Sequence, residues 1–262
     1  MIRALMTAAS GMKSQQKMVD TIANNIANVN TGGFKRSSLN FRSLLYQTYA
    51  EPGAATSQQG MNPTGLQIGS GVEIAGSRKS FRQGELEPTG APFDLAIHGQ
   101  GFFKLRMPSG EFRYTRDGHF SRDGEGRVVT ADGYPVETFP TIAQDVIDIS
   151  VAEDGTVTTR TSESDTGTIA GTLQIVRFAN PEGLKAQGGN YYTETASSGV
   201  EQLSNPGLTG SGRLVHRHVE RSNVEVVDEL VGLIMAQRNY EVNSRAVRAS
   251  DEMLQQVNQM IR

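Results

Sequence analysis

Cysteine is absent from all 262 residues, which excludes a disulfide framework, a thiol nucleophile and a thiolate metal site. Tryptophan is absent as well, and aromatics make up only 6% of the chain. Glycine is abundant instead, at 29 residues, and together with many short turn signals it points to β-structure. No segment approaches the roughly 18 consecutive apolar residues of a membrane span, so direct membrane insertion is not expected. Excess positive charge is missing too. Lys and Arg number 25 against 28 Asp and Glu, a formal net charge of −3, and they are scattered. Nucleic-acid binding normally leaves a clustered basic footprint, so nucleic acid is not an expected partner.

The first thirty residues do not read as a signal peptide, because Lys13, Gln15, Gln16, Lys17 and Asp20 stand where an apolar core belongs. The expectation is a cytoplasmic protein, or one exported by a route that does not read such a signal. Catalytic signatures are lacking: HExxH, GxSxG and the Walker pattern do not occur, and Gly99-Gln100-Gly101 does not continue into GxGxxG. Asp117, Asp123 and Asp132 each precede glycine, so turn geometry accounts for them without a catalytic carboxylate pair. His216 and His218 would share one face of a strand and could ligate a metal, but no third ligand is evident. The stretch from Asp117 to Gly126 lacks the alternating oxygen ligands and closing glutamate of a calcium loop. Neither enzymatic activity, nor a cofactor, nor a metal is expected.

What the chain does have is a pair of seven-residue repeats, one at each end. From Val226 an apolar residue returns every seventh position: Val226, Leu233, Tyr240, Val247, Leu254, Ile261. No proline interrupts the run, which predicts a helix of roughly 36 residues, about 54 Å long. Ser222 followed by Glu225 reads as its capping box. Leu230, Ile234, Ala236 and Val257 widen the column into a stripe, while Gln237, Ser244, Asp251 and Asn258 hold the companion position where a dimeric zipper would want leucine. The N-terminal segment repeats the pattern with Ile2, Leu5, Ala9, Met12, Gln16, Val19, Ala23 and Ile26, Gln16 being the sole polar member. This helix is expected to end near Val29–Asn30, with Thr31, Gly32 and Gly33 supplying the exit. Two terminal heptad helices pair most economically with each other, and the apolar surface they would still expose in a monomer marks an assembly interface.

Between the helices the character changes. Residues 46–71 combine two prolines, several glycines and few large apolar side chains, which reads as a flexible loop or linker. Further on, Ser109-Gly110, Asp117-Gly118, Asp123-Gly124, Asp132-Gly133 and Asp154-Gly155 punctuate β-forming stretches, the pattern of a meander of hairpins.

Three stretches carry a family resemblance. Asn24-Asn25-Ile26-Ala27-Asn28-Val29-Asn30-Thr31-Gly32-Gly33-Phe34-Lys35 resembles the N-terminal signature of the bacterial flagellar rod and hook proteins. The Ile97-x-Gly99-x-Gly101-Phe102-Phe103 run with Tyr114-Thr115-Arg116-Asp117-Gly118 is similar to that family, as is the C-terminal run through Glu220-x-Ser222-Asn223 and Ala236-Gln237-Arg238-Asn239-Tyr240. The resemblance covers both ends and the first half of the β-region, and is weaker between about 140 and 210. Within the family, an insertion at 46–65, here with Tyr46, Gln47, Tyr49, Pro52 and Pro63, separates the rod form from the hook protein.

The resulting expectation is an α+β chain. Residues 1–30 and 224–262 form a helical polymerisation domain, a coiled-coil-like layer. Residues 31–75 and 215–223 form an extended connector, and 76–214 form a β-rich outer domain. The resemblance implies a hollow helical homopolymer that transmits torque through the periplasm and passes exported subunits along its lumen. It implies proximal rod proteins, hook protein and the surrounding ring proteins as neighbours, and export by the flagellar type III apparatus without a cleaved signal. The polar seam residues Gln237, Ser244, Asp251 and Asn258, with Asn24, Asn25 and Asn28, are the expected lateral contacts between subunits. The alternatives are a hook or proximal rod subunit, or a secreted β-domain enzyme acting on peptidoglycan with helical oligomerisation arms.

Overall fold

Apolar residues spaced three and four apart, with no proline, produce two long helices, α1 (Ile2–Ala27) and α2 (Val226–Met260). The computed structural model describes residues 2–53, 64–161, 164–208 and 210–260. Pro63 and Ile261, both among the expected assembly residues, lie outside the described residues. The chain divides into two compact units, one of residues 1–26, 37–78 and 225–262, the other of residues 27–36 and 79–224. The expected connector is therefore shared between the two units.

In the helical unit, α1 and α2 run antiparallel. Asn25 bonds Glu229, Gly11 lies against Asn243, and Ile22 against Gly232, so each step down one helix matches a step up the other. The two ends of the stretch expected to be a flexible linker form a β-ribbon. Strand β1 (Ser37–Ser43) pairs with β4 (Val72–Lys79), and β2 (Tyr46–Ala50) pairs antiparallel with β3 (Leu66–Gly69). Alternating Tyr46, Thr48 and Leu66, Ile68 supply the β-formers that composition alone obscured. The ribbon lies along α1. Ser37 bonds Asn25, the Ser10 hydroxyl accepts from Val72 N–H, and Arg3 reaches Tyr49 and the Ile68 carbonyl. Gly71 has φ 120°, and a Cβ there would overlap Ser10 Oγ, so glycine is what lets ribbon and helix close together.

The second unit is β-rich, and its strands are only partly a meander. Hairpins join Phe103–Arg106 to Phe112–Thr115, Phe120–Arg122 to Val128–Thr130, and Val146–Val151 to Thr156–Thr161 to Ser164–Thr172. Other pairings span the unit: Leu95–His98 with Arg213–His216, Leu86–Pro88 with His218–Glu220, and Phe112–Thr115 with Tyr191–Thr193. Residues 215–223, expected as connector, thus contribute to two strands of this unit. Leu95, Ile97, Phe103, Leu105, Ile175 and Leu214 form its main core, with a second cluster of edge-to-face rings at Phe102, Phe178, Tyr114 and Tyr192.

The Asp-Gly signals divide by geometry. Gly110, Gly133 and Gly155 adopt φ 84°, 83° and 88° and close tight turns as expected. At Asp123 the left-handed residue is Gly126, not Gly124, because Asp123 caps the loop through Glu125 N–H and Arg127 N–H. Asp117-Gly118 is no hairpin at all: a Cβ on Gly118 would overlap the Leu95 carbonyl oxygen, so glycine there permits close packing of two segments.

Candidate assembly surface

The face that α2 turns toward α1 is small and polar. Glu229, Ala236 and Ser250 are buried, and Gly232, Leu233, Asn243, Val247, Leu254 and Val257 are half-buried. Buried positions therefore alternate between the expected apolar column and a row three residues on, not the row holding Gln237 and Asp251. Gln237 and Asp251 are exposed and Ser244 is half-buried, while the side chains of Asn258 and Ile2 are outside the described residues. On α1 the inward face is also shifted by one position from the expected stripe. Ala8 and Ile22 are buried and Met18 half-buried, while Ala9 and Ala23 are exposed and Leu5, Met12, Val19 and Ile26 are half-buried.

Asn25 does not face outward. It is 1% exposed: its Nδ2 donates to the Ser37 carbonyl at 2.9 Å and to Glu229 Oε2 at 3.3 Å, while its Oδ1 accepts from Ser37 N–H at 3.0 Å. An amide side chain can donate and accept at once, and here it ties both helices and the ribbon together. Asn24 is exposed, and Asn28, in the β unit, accepts from the Thr31 hydroxyl.

The outer side of α2 carries the apolar surface. Val227 is 73% exposed, and Leu230, Val231, Ile234, Met235 and Val242 are each about half exposed, with Val226 and Tyr240 flanking them. Apolar residues left on the outer side of a helix call for a further neighbour there, because α1 covers only the other side. The ribbon adds Leu45, Tyr46, Tyr49, Leu66 and Ile68, all exposed, and exposed Gln47 and Pro52.

A second constellation lies wholly within the β unit and joins residues far apart in sequence. Lys35 and Glu220 are both buried, with Lys35 Nζ 2.6 Å from Glu220 Oε1 and 2.9 Å from the Arg82 carbonyl. Arg116 Nε lies 3.1 Å from Glu220 Oε2, and its two terminal nitrogens donate to the Gly101 and Gly99 carbonyls at 2.8 and 2.7 Å. Gly84 N–H donates to the same Glu220 oxygen that holds Lys35. Burial pulls the Lys35 ammonium below its ordinary lysine value, and Glu220 opposes this; burial likewise lowers Arg116. One carboxylate shared by two cations, with Gly84 N–H and the backbone carbonyls that accept from Lys35 and Arg116 around it, is an arrangement that makes buried charge tolerable. This cluster was missed from sequence, although each member sits inside one of the three quoted signature motifs.

The two histidines do not share a strand. Arg217 between them has φ 59°, ending one strand and starting the next. A His216 ring nitrogen lies 2.8 Å from the Pro92 carbonyl, and one of His218 lies 2.8 Å from the His216 carbonyl.

Three segments of the chain match flagellar families. Residues 5–35 match the family described as flagella basal body rod protein. Residues 96–159 match the flagellar hook protein FlgE/F/G D1 domain, and residues 216–260 match the flagellar basal body rod FlgEFG protein C-terminal family. Lys35, Arg116 and Glu220 fall one in each. The chain is 44% identical over 256 residues to the flagellar basal-body rod protein FlgG of Borreliella burgdorferi, covering 97% of each chain. It is 44% identical over 260 residues to FlgG of Caulobacter vibrioides, covering 99% of each. Against FlgG of Bacillus subtilis the identity is 39% over 265 residues, with 98% of each covered.

Proposed function

This chain belongs to the flagellar basal-body rod protein family, and we propose that it is a structural subunit of the distal rod, acting by polymerisation rather than catalysis. The observation that carries the reading is the outer face of α2, where Val227, Leu230, Val231, Ile234 and Met235 stand uncovered on a helix whose other side is already paired. In a tube of helices each such face meets a neighbouring subunit, and many identical interfaces share the torque so that none slips alone. Gln237, Asp251 and Asn24 stand exposed at the surface, where lateral hydrogen bonds between subunits fix register. Ser244 and Asn258 complete the polar row by their heptad spacing, and the apolar contacts supply cohesion.

The ribbon deepens this reading. It places Tyr46, Tyr49, Leu66 and Ile68 at the surface, and residues 46–65 brace neighbouring subunits, which stiffens the tube. The hollow polymer transmits torque through the periplasm, passes exported subunits, and meets proximal rod, hook and ring proteins. Its own subunits are exported through the flagellar type III apparatus. Electron microscopy of the concentrated purified protein tests the core of the proposal. Straight hollow tubes are the expected result, and discrete particles at every concentration would overturn it. Deleting residues 46–65 is expected to leave tubes that bend more easily; unchanged straightness and bending stiffness would remove the bracing role.

A further inference from the structure

The β unit holds a cavity of about 80 Å³ whose apolar lining comes mainly from Phe81, Phe102 and Phe178 and whose charged lining is Arg116 and Arg177. Arg116 is fully engaged, since it donates to the Gly99 and Gly101 carbonyls and faces Glu220. Arg177 differs: its Nε is shielded from water with no hydrogen-bond partner, while the outer end of its guanidinium packs against Gly210. A buried N–H without an acceptor is a standing penalty that a ligand oxygen would remove. The Gly99 and Gly101 carbonyls in the lining are already used by Arg116.

We propose that this cavity is a carboxylate-recognition pocket, in which Arg177 receives a carboxylate carried on a short aliphatic stem. The planar guanidinium fork matches two carboxylate oxygens, and the phenylalanine rings favour an apolar stem. Phosphate and sulfate fit poorly, because the apolar rings of the lining do not replace their hydration. A cavity of about 80 Å³ favours a short stem. Two sources can present this chemistry: a free short-chain carboxylate, or an Asp or Glu side chain of a second copy of the chain. The pocket itself does not depend on the assembly reading; only the second source does.

The test is an amide-shift titration of dilute full-length protein with sodium propionate, against sodium chloride at matched ionic strength. Saturable shifts at Gly99–Phe102 and Arg177–Phe178 are expected, weakened at least tenfold in Arg177→Gln. Arg177→Lys, which keeps the charge and loses the fork, is expected to weaken binding as well, and it serves where the glutamine variant does not fold. Linear shifts equal to those in chloride, or undiminished affinity in a folded Arg177 variant, would overturn the assignment. A second arm follows polymer formation with and without propionate. Inhibition by propionate, together with impaired assembly of Arg177→Gln, assigns the occupant to a second copy; assembly indifferent to both assigns it to a free carboxylate. If no polymer forms under any condition, the assembly reading fails while the titration still decides the pocket.

Discussion

The two units differ in what they bury. The β unit has a large apolar core and also buries an ion cluster in which Glu220 faces both Lys35 and Arg116, although Ile147, Ile169 and Val200 stay at its surface. The helical unit buries mostly small and polar groups, Ala8, Asn25, Glu229 and Ala236, with Ile22 as its large apolar exception, and leaves Val227, Leu230, Ile234 and Met235 in water. A unit of the first kind carries its own apolar core. One of the second kind uses its hydrogen bonds to hold a shape and keeps its apolar area for a partner.

The sharpest way to break this comparison is to delete the two buried glutamates in turn. Glu220→Ala strands Lys35 and Arg116 without their counter-charge and is expected to cost about 3–5 kcal/mol. Glu229→Ala removes the acceptor of an Asn25 amide that still holds Ser37, and is expected to cost about 1 kcal/mol. Denaturant unfolding of the monomer, followed by near-ultraviolet circular dichroism of the tyrosines, measures both. Equal losses would mean that the helical unit is as self-sufficient as the β unit.

A smaller effect separates the two sides of α2. Ile234→Asp lies on the exposed side and is expected to change monomer stability by less than about 0.5 kcal/mol. The same substitution is expected to raise the critical concentration for polymerisation at least tenfold, which corresponds to about 1.4 kcal/mol per subunit. Sedimentation of polymer across a concentration series reads it. An unchanged critical concentration would place the assembly contacts elsewhere.

The heptads made both helices legible, because a repeat of seven with no proline admits little else. The inward face was harder to read. Sequence marks large apolar residues, whereas the antiparallel contact is made where Gly11 and Gly232 let the helices approach and where Asn25 meets Glu229. The apolar column pointed to an interface without saying which side the chain fills by itself. The ribbon was obscured because prolines and glycines cluster between its two inner strands and mask the alternation in Tyr46–Ala50 and Leu66–Gly69. The Lys35–Arg116–Glu220 cluster joins positions that no local pattern relates, and only the long-range strand pairings bring them together.

The smallest expected effect isolates burial as the source of the β unit's strength. His119 and Asp117 form an ion pair at 2.7 Å at the surface of the same unit, with about half of the histidine side chain exposed. The hydrogen bond to Asp117 raises the imidazole pKa above its ordinary value, against the opposing effect of partial burial. A raised folded-state pKa means that the imidazolium stabilises the fold. That contribution is complete below the unfolded value near 6.5 and is lost as pH rises through the higher folded value. Solvent screening limits it to a few tenths of a kcal/mol. Denaturant midpoints of the wild type and His119→Gln, compared from about pH 6 to pH 8.5, are expected to converge as pH rises. A gap that widens with pH would reverse the sign. A gap as large as the Glu220→Ala loss would mean that an exposed pair contributes as much as the buried cluster, and that burial is not what distinguishes the two.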